Sequence, residues 1–193
     1  MANVVLFHSV LGLREGVKAA ADMIRKRGHT VHVPDLFEGK TFDDYGSAMA
    51  AFEEIGLHEL MERVRNAVAD IEGDLVFAGF SIGGGFAEMM AATHPRAKGC
   101  LLFHASLPLR ELKLESWPEG VPVQVHYAAG DPWRNDEWVA AFSEDVHRAG
   151  AELEFFEYFC EGHLFADPDL PEYDRKSAKL MWERVLMFLD SVE

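Results

Sequence analysis

Apolar residues recur along this chain with two different periods, and the alternation between the periods predicts its secondary structure. Short continuous runs of Val, Leu and Phe are typical of strands that are buried on both faces of a parallel sheet. Such a run predicts a strand at Asn3–Phe7, and further strands are predicted at His29–Val33, in the apolar run that begins at Asp74, and at Ala97–Phe103, Val121–Tyr127 and Glu152–Tyr158. We therefore expect a sheet of about six mostly parallel strands.

Between these runs, apolar residues fall three or four positions apart, which predicts amphipathic helices. The predicted helices are one from Gly16 to a stop at Gly28, Asp43–Ile55, Leu57–Ile71, the segment after Ser81, Trp138–Ala149 and Glu172–Val192. Strands that alternate with helices favour a three-layer α/β fold, with helices on both faces of the sheet. The segment between the fourth and fifth strands is too short and too interrupted by proline to form a separate cap domain.

Length and charge narrow the classes of function. The chain has 193 residues, the length of one domain, which we expect to span residues 1–193. It carries 33 acidic and 18 basic side chains, a formal net charge of -15. Because such a surface repels phosphate backbones and anionic lipids, neither nucleic acid nor a membrane is an expected partner. We expect a small-molecule substrate and a monomer or homodimer.

The cysteines and the N-terminus indicate a compartment. Cys100 and Cys160 form neither a disulfide framework nor a Cys-x-x-Cys metal motif, which fits a reducing environment. The first apolar run lacks a basic segment before it, so it is interpreted as a strand and not as a signal peptide. These features predict a cytoplasmic protein. No group of His, Cys and Asp residues has the spacing of metal ligands, so no metal and no other cofactor is expected.

Gly79-Phe80-Ser81-Ile82-Gly83 stands where an apolar run passes into an apolar-periodic segment. Glycines two positions on either side of a serine, between a strand and a helix, are typical of a nucleophile elbow. The motif is weak on its own, because it also occurs by chance in ordinary glycine-rich turns. Ligands bind beyond the carboxyl ends of parallel strands, so an acid and a base at later strand ends would strengthen the hypothesis.

Two later strands end at such residues. Asp131 follows the fifth predicted strand, and His163 follows the sixth and precedes the last helix. Asp136 is a rival acid, but Asp131 comes directly after its strand. Ser81, Asp131 and His163 therefore stand in the order nucleophile, acid, base, in which histidine accepts the serine proton and the acid orients the histidine.

Further strand-end residues are candidates for the rest of the site. The backbone N–H of Ile82 lies at a helix start, and that of Val10 lies in the loop after the first strand, so both are candidate donors to an oxyanion. Four residues are candidates to line a substrate pocket, although packing in the core is the commoner role of such side chains. They are Leu11, His104, Trp133 and Phe165.

Three segments resemble the dienelactone hydrolase family of the α/β-hydrolases: LFHSVLGL, GFSIGGGFA and the C-terminal GHLFADPDLPEYDRKSAKLMWERVLMFL. The last is the most specific, since its histidine, proline, tyrosine and tryptophan features recur together in that family. The resemblance covers nearly the whole chain. It implies a compact α/β-hydrolase fold without a cap, a triad of Ser81, Asp131 and His163, and oxyanion donors at Val10 and Ile82.

The chain departs from that family at three positions. Members that open dienelactones carry cysteine where this chain has Ser81, glutamate where it has Ser9, and a carboxylate-binding arginine where it has Asp167. With a net charge of -15 as well, a dianionic lactone is not the expected substrate.

We expect a cofactor-free serine hydrolase that acts on a small neutral or cationic ester or lactone through an acyl-enzyme. The alternatives are thioester cleavage or acyl transfer by the same triad, or a catalytically silent protein that binds a ligand or partner.

Overall fold

Six parallel strands form one sheet in the computed structural model, which describes residues 1–192. Glu193, the last residue of the predicted 1–193 domain, lies outside the described residues. The strands are β1 (Asn3–Phe7), β2 (Thr30–His32), β3 (Leu75–Phe80), β4 (Ala97–Phe103), β5 (Val123–Gly130) and β6 (Leu153–Glu161). Their order is β2-β1-β3-β4-β5-β6, and every neighbouring pair is parallel. The prediction of about six mostly parallel strands is confirmed.

Helices cover both faces of this sheet. They are α1 (Glu15–Lys26), α2 (Tyr45–Ile55), α3 (Leu57–Ala69), α4 (Ile82–Thr93), α5 (Asp136–Arg148) and α6 (Arg175–Ser191). The chain moves one way across the sheet from β1 to β2 and the other way from β3 to β4. Because parallel crossovers are right-handed, α1 and α4 lie on opposite faces. An Arg27–Asp190 ion pair joins the ends of α1 and α6, and α3 lies beside α4, so the three-layer prediction is confirmed.

Apolar side chains from both layers fill the core. All six residues of β3 are buried, as expected of a central parallel strand. From α6, the indole of Trp182 packs against Phe80 and Phe103, with ring centroids 6.3 and 5.5 Å apart. Within residues 1–192, no helix combines the length and apolar character that a bilayer crossing requires.

The predicted ends of two elements shift in a way that shapes the site. β5 continues to Gly130 and β6 to Glu161, three residues beyond the predicted ends, which brings Asp131 and His163 to the same edge of the sheet. The last helix begins at Arg175 instead of Glu172, because the side chain of Asp174 accepts a hydrogen bond from Ser177 N–H and caps it there. Glu172 is therefore part of a loop.

Candidate active site

Ser81 occupies a strained turn between β3 and α4. Its backbone has φ 54° and ψ -119°, a conformation that non-glycine residues rarely adopt. Hydrogen bonds hold it there: Ser81 N–H donates to the carbonyl of Phe103 at 2.8 Å, and Gly84 N–H donates to the carbonyl of Ser81 at 2.8 Å. The turn thus has the geometry of a nucleophile elbow.

The two glycines of the motif are required by close backbone contacts. A Cβ atom at Gly79 would lie 2.0 Å from the carbonyl oxygen of Gly83. A Cβ atom at Gly83 would lie 2.4 Å from the carbonyl oxygen of His8 at the end of β1. No side chain fits at either position, so the Gly-x-Ser-x-Gly pattern follows from the packing of the elbow against β1.

The structure brings the serine, the histidine and the acid into one hydrogen-bonded chain. The Nε2 atom of His163 lies 2.7 Å from Ser81 Oγ, and its Nδ1 atom lies 3.0 and 2.9 Å from the two oxygens of Asp131. A carboxylate only accepts hydrogen bonds, so the proton is on Nδ1 and Nε2 is free to accept from the serine hydroxyl. This is the arrangement that a general base requires.

Trp133 completes the surroundings of the histidine and the acid. Its backbone N–H donates a hydrogen bond to Asp131 Oδ1 at 2.9 Å, which holds the carboxylate in place. Its half-exposed indole stacks on the imidazole of His163, with ring centroids 5.4 Å apart and planes 19° apart. One face of the His163 imidazole is therefore covered by this indole.

Val10 and Ile82 lie beside Ser81, and both line the same cavity. Ile82 is the first residue of α4, where helix geometry leaves the N–H without an intrahelical partner. Neither N–H donates a hydrogen bond to another group in the described chain. Both are therefore available to a substrate oxygen.

His8 fixes the loop that carries Val10. Its Nδ1 donates to the carbonyl of Ser9 at 2.7 Å, and its Nε2 accepts from Leu36 N–H at 3.0 Å. Burial lowers the pKa of His8, and the neutral imidazole can serve as donor on one side and acceptor on the other. His8 directly follows the predicted strand Asn3–Phe7, but no sequence signal marked this role.

The cavity next to Ser81 has a volume of about 300 Å³. Its lining comes from the strand-end loops, α2, α4 and the start of α5. The lining residues are Val10, Met49, Ser81, Ile82, Gly85, His104, Ala105, Ser106, Leu107, Tyr127, Trp133, Asn135, Trp138 and His163. It contains no Asp, Glu, Lys or Arg. Met49 belongs to α2, so the segment between β2 and β3 contributes to the wall of the cavity.

The four predicted pocket residues have different positions. Trp133 and His104 line the cavity, whereas Leu11 and Phe165 do not. Leu11 is 1% exposed, and Phe165 is fully buried in the hydrophobic core. The ring of Phe165 packs edge-on against the imidazole of His104, with ring centroids 4.8 Å apart. Neither side chain borders this cavity, so contact of Leu11 and Phe165 with substrate stays a prediction.

Asp167 and Ser9 lie apart from this cavity. They border a separate, much smaller cavity together with Gly16 at the start of α1. Asp167 packs so tightly there that a Cβ atom at Gly16 would lie 2.0 Å from its Oδ1, and burial raises the pKa of its carboxyl. Two of the positions at which the chain departs from the family pattern therefore do not border the space beside Ser81.

Sequence reasoning missed several residues around the site. Met49, Tyr127 and Trp138 line the cavity, but no sequence motif marked them. Tyr45 and Glu172 contact the His163 loop from a distant helix and from a segment predicted to be helical. No local signal marked either residue, because the two side chains meet across 127 positions in the sequence.

Comparison with known proteins identifies the family. The model of the dienelactone hydrolase family matches residues 1–193. The chain belongs to the dienelactone hydrolase family. This membership places it among hydrolases.

Solved structures show the same fold at low sequence identity. A dienelactone hydrolase-like promiscuous phosphotriesterase from metagenomic libraries is 20% identical, with a TM-score of 0.83, and the match covers 100% of this chain and 87% of the other. Thermogutta terrifontis esterase 2, phosphorylated by paraoxon, is 15% identical (TM-score 0.69; 99% and 83% covered). Mouse alpha/beta hydrolase domain-containing protein 10 is 12% identical (TM-score 0.72; 99% and 90% covered). No curated protein sequence matches the chain significantly.

The described part of this dienelactone hydrolase family chain offers no group of three or more His, Cys, Asp or Glu side chains arranged to hold a metal ion. The groups that surround Ser81 are a histidine, an acid and free backbone N–H groups. Groups of these kinds can move a proton and stabilise an oxyanion.

Proposed function

We propose that this dienelactone hydrolase family protein is a serine hydrolase that cleaves a small carboxylic ester or lactone through an acyl-enzyme. The observation that carries the proposal is the hydrogen-bonded chain from Ser81 Oγ through His163 to Asp131, beside an uncharged cavity. Solved relatives in fold include an esterase, which makes ester hydrolysis a natural chemistry for this scaffold.

In the first half of the reaction, His163 Nε2 takes the proton of Ser81 Oγ as the oxygen attacks the carbonyl carbon of the ester. The negative oxygen of the tetrahedral intermediate accepts hydrogen bonds from the N–H groups of Val10 and Ile82. When the intermediate collapses, His163 gives its proton to the departing alkoxide, and Ser81 keeps the acyl group. Asp131 stabilises the imidazolium through Nδ1.

In the second half, water replaces the alcohol. His163 takes a proton from the water as its oxygen attacks the acyl carbon, and returns the proton to Ser81 Oγ as the carboxylic acid leaves. The imidazole of His163 thus carries the transferred proton in both halves of the reaction.

The cavity supports an uncharged substrate of modest size. Its lining offers no charged side chain to pair with a carboxylate, and burying an unpaired charge is costly. Its volume of about 300 Å³ is at the small end of ligand sites. Trp133, Trp138 and Met49 supply an apolar wall, which favours a short aliphatic or aromatic acyl group.

Ser81→Ala tests the nucleophile. We expect it to lower kcat on short-chain p-nitrophenyl esters by at least about 10⁴-fold, because no other group in the chain of hydrogen bonds can form the acyl-enzyme. Ser143→Ala, on α5 and away from the cavity, is the matched control and should leave kcat unchanged. A Ser81→Ala protein with wild-type esterase activity would refute the assignment.

A fluorophosphonate probe separates the proposed hydrolase from a silent binding protein. An activated Ser81 should form a covalent adduct, detected by mass spectrometry on the peptide that contains residue 81, far faster than an ordinary serine. Thioester cleavage and acyl transfer use the same intermediate; they are distinguished by comparing oxygen and sulfur esters and by adding competing alcohols.

A further inference from the structure

Glu172 holds the loop that carries His163. Its Oε2 accepts a hydrogen bond from the backbone N–H of His163 at 2.9 Å, and its Oε1 accepts one from Leu164 N–H at 3.0 Å. One carboxylate thus binds the two consecutive N–H groups at and after the base. Hydrogen bonds to a charged acceptor are stronger than neutral ones, so this is a firm attachment.

Tyr45 adds a third donor to the same carboxylate. Its hydroxyl donates to Glu172 Oε1 at 2.5 Å, across 127 positions in the sequence. Burial and the neighbouring Glu172 raise the pKa of Tyr45, which keeps its phenol protonated and able to donate. Through this bond, the first residue of α2 is tied to the loop after β6.

The ring of Tyr45 also packs on the site itself. It meets the imidazole of His163 edge-on at 6.1 Å and lies 5.2 Å from the indole of Trp133. His163 is therefore bounded by Trp133 on its face, by Tyr45 at an edge and by Glu172 through its own backbone.

The turn before His163 fits this arrangement. Gly162 has φ +95°, which strongly favours glycine, and a Cβ atom there would lie 2.6 Å from the Cβ of Glu172. Asp174 starts α6 only at Arg175, which leaves Glu172 outside the helix and free to turn towards the loop. Neither Glu172 nor Tyr45 lines the cavity, so any influence on the reaction passes through His163.

We propose that Glu172 and Tyr45 are positioning residues that hold the imidazole of His163 within hydrogen-bonding reach of Ser81. The inference rests on the proposed function of His163 as the base. A base acts well only when its geometry is held to about 0.5 Å, and His163 lies on a loop that cannot supply this rigidity by regular secondary structure. The carboxylate and the phenol supply it.

Glu172→Gln is the sharpest single change, because the two side chains have nearly the same shape. An amide oxygen at the Oε1 position can still accept hydrogen bonds from Leu164 N–H and the Tyr45 hydroxyl. The amide NH₂ then faces the backbone N–H of His163, and two donors cannot form a hydrogen bond. We expect kcat and the rate of fluorophosphonate labelling each to fall by about tenfold. KM should change by less than about twofold, because the cavity lining is intact. Glu144→Gln, an exposed acid on α5, is the control and should match the wild type.

Tyr45→Phe tests the second residue and removes only the hydroxyl. We expect a fall in kcat of about threefold, within the range for one hydrogen bond. Tyr173→Phe, next to Glu172 in the sequence, is the matched control. If Tyr45 acts through Glu172, the Tyr45 change should have little further effect in the Glu172→Gln background, so the two effects on kcat should be clearly less than multiplicative.

Three results would overturn the proposal. They are an unchanged kcat and labelling rate in both variants, a change confined to KM, and strictly multiplicative effects in the double variant. Circular dichroism and thermal unfolding show whether each variant is folded; if Glu172→Gln does not fold, Tyr45→Phe alone decides. Ser81→Ala separates this proposal from the function: if it stays active, the triad is wrong, and if it is inactive while Glu172→Gln is fully active, only the positioning role is wrong.

Discussion

The ends of β4 and β6 place two histidines side by side, and their surroundings differ completely. The rings of His104 and His163 lie 5.8 Å apart, and both residues are 3% exposed. Both ring nitrogens of His163 have partners, Asp131 and Ser81. Both ring nitrogens of His104 are buried with no hydrogen-bond partner in residues 1–192. Both histidines are therefore buried, and they differ in whether their ring nitrogens have hydrogen-bond partners.

The acids near the two strand ends repeat this contrast. Glu172 accepts three hydrogen bonds at the end of β6. Glu88, fully buried on α4, accepts one, from Leu107 N–H after β4, while its Oε1 has no partner within the described chain. Burial raises the pKa of Glu88 well above its ordinary value, and burial lowers that of His104 well below its own. Burial with few or no hydrogen-bond partners thus favours the neutral forms of Glu88 and His104, whereas the acid and the histidine at the end of β6 are fully hydrogen-bonded.

The largest expected effect on kcat comes from replacing one of the two histidines, and each is replaced in a separate variant. His163→Ala should lower kcat by at least about 10⁴-fold, because the proton of Ser81 loses its acceptor. His104→Phe should keep kcat within about tenfold, since the ring donates and accepts no hydrogen bond. Steady-state kinetics on one neutral ester gives both values. Equal losses of kcat in the two variants would contradict the different roles assigned to the two histidines.

A smaller effect concerns stability against pH. The unfolded chain protonates His104 below its ordinary pKa of 6.5, but the folded chain does not. The free energy of unfolding is therefore unaffected by this group well above pH 6.5 and falls as the pH drops below it. His126, whose pKa burial lowers to about 3, adds a decrease of the same sign. Urea unfolding at pH 8, 6.5 and 5 should show a weaker decrease in His104→Phe than in the wild type; parallel curves would contradict this account.

The smallest effect tests the unpartnered acid. Unfolded Glu88 ionises above pH 4.5, whereas the folded carboxyl stays protonated, so the wild type loses stability as the pH rises above 4.5. Glu88→Gln cannot ionise and keeps an oxygen for Leu107 N–H. We expect it to raise the free energy of unfolding by roughly 1 kcal/mol at pH 7 and by less at pH 4.5. The exposed Glu144→Gln serves as control, and a loss of stability at pH 7 would show that Glu88 is charged in the folded protein.

Much of the fold followed from local patterns. Short apolar segments located all six strands, and the 3.6-residue period located the helices, because each pattern is complete within a window of a few to eighteen residues. Element ends were less accurate, since caps such as Asp174 depend on one side chain. The candidate triad also followed from sequence, because parallel strands bring their carboxyl ends to one edge and so place Ser81, Asp131 and His163 together.

Other features depended on contacts between distant segments. The apolar character of Leu11 and Phe165 could not show whether they face the cavity or the core, because direction is set by packing against neighbouring elements. The position of Asp167 against Gly16, away from the Ser81 cavity, had the same cause.

By itself, the sequence determined the alternating elements, the glycine-flanked elbow and the order of the serine, acid and histidine. These depend on local steric needs and on the rules of parallel sheets. Only the tertiary structure decided which side chains surround His163, since Tyr45 and Glu172 meet across 127 positions. It also decided which buried polar groups have partners, because a hydrogen bond between distant residues exists only once the sheet has placed both of them.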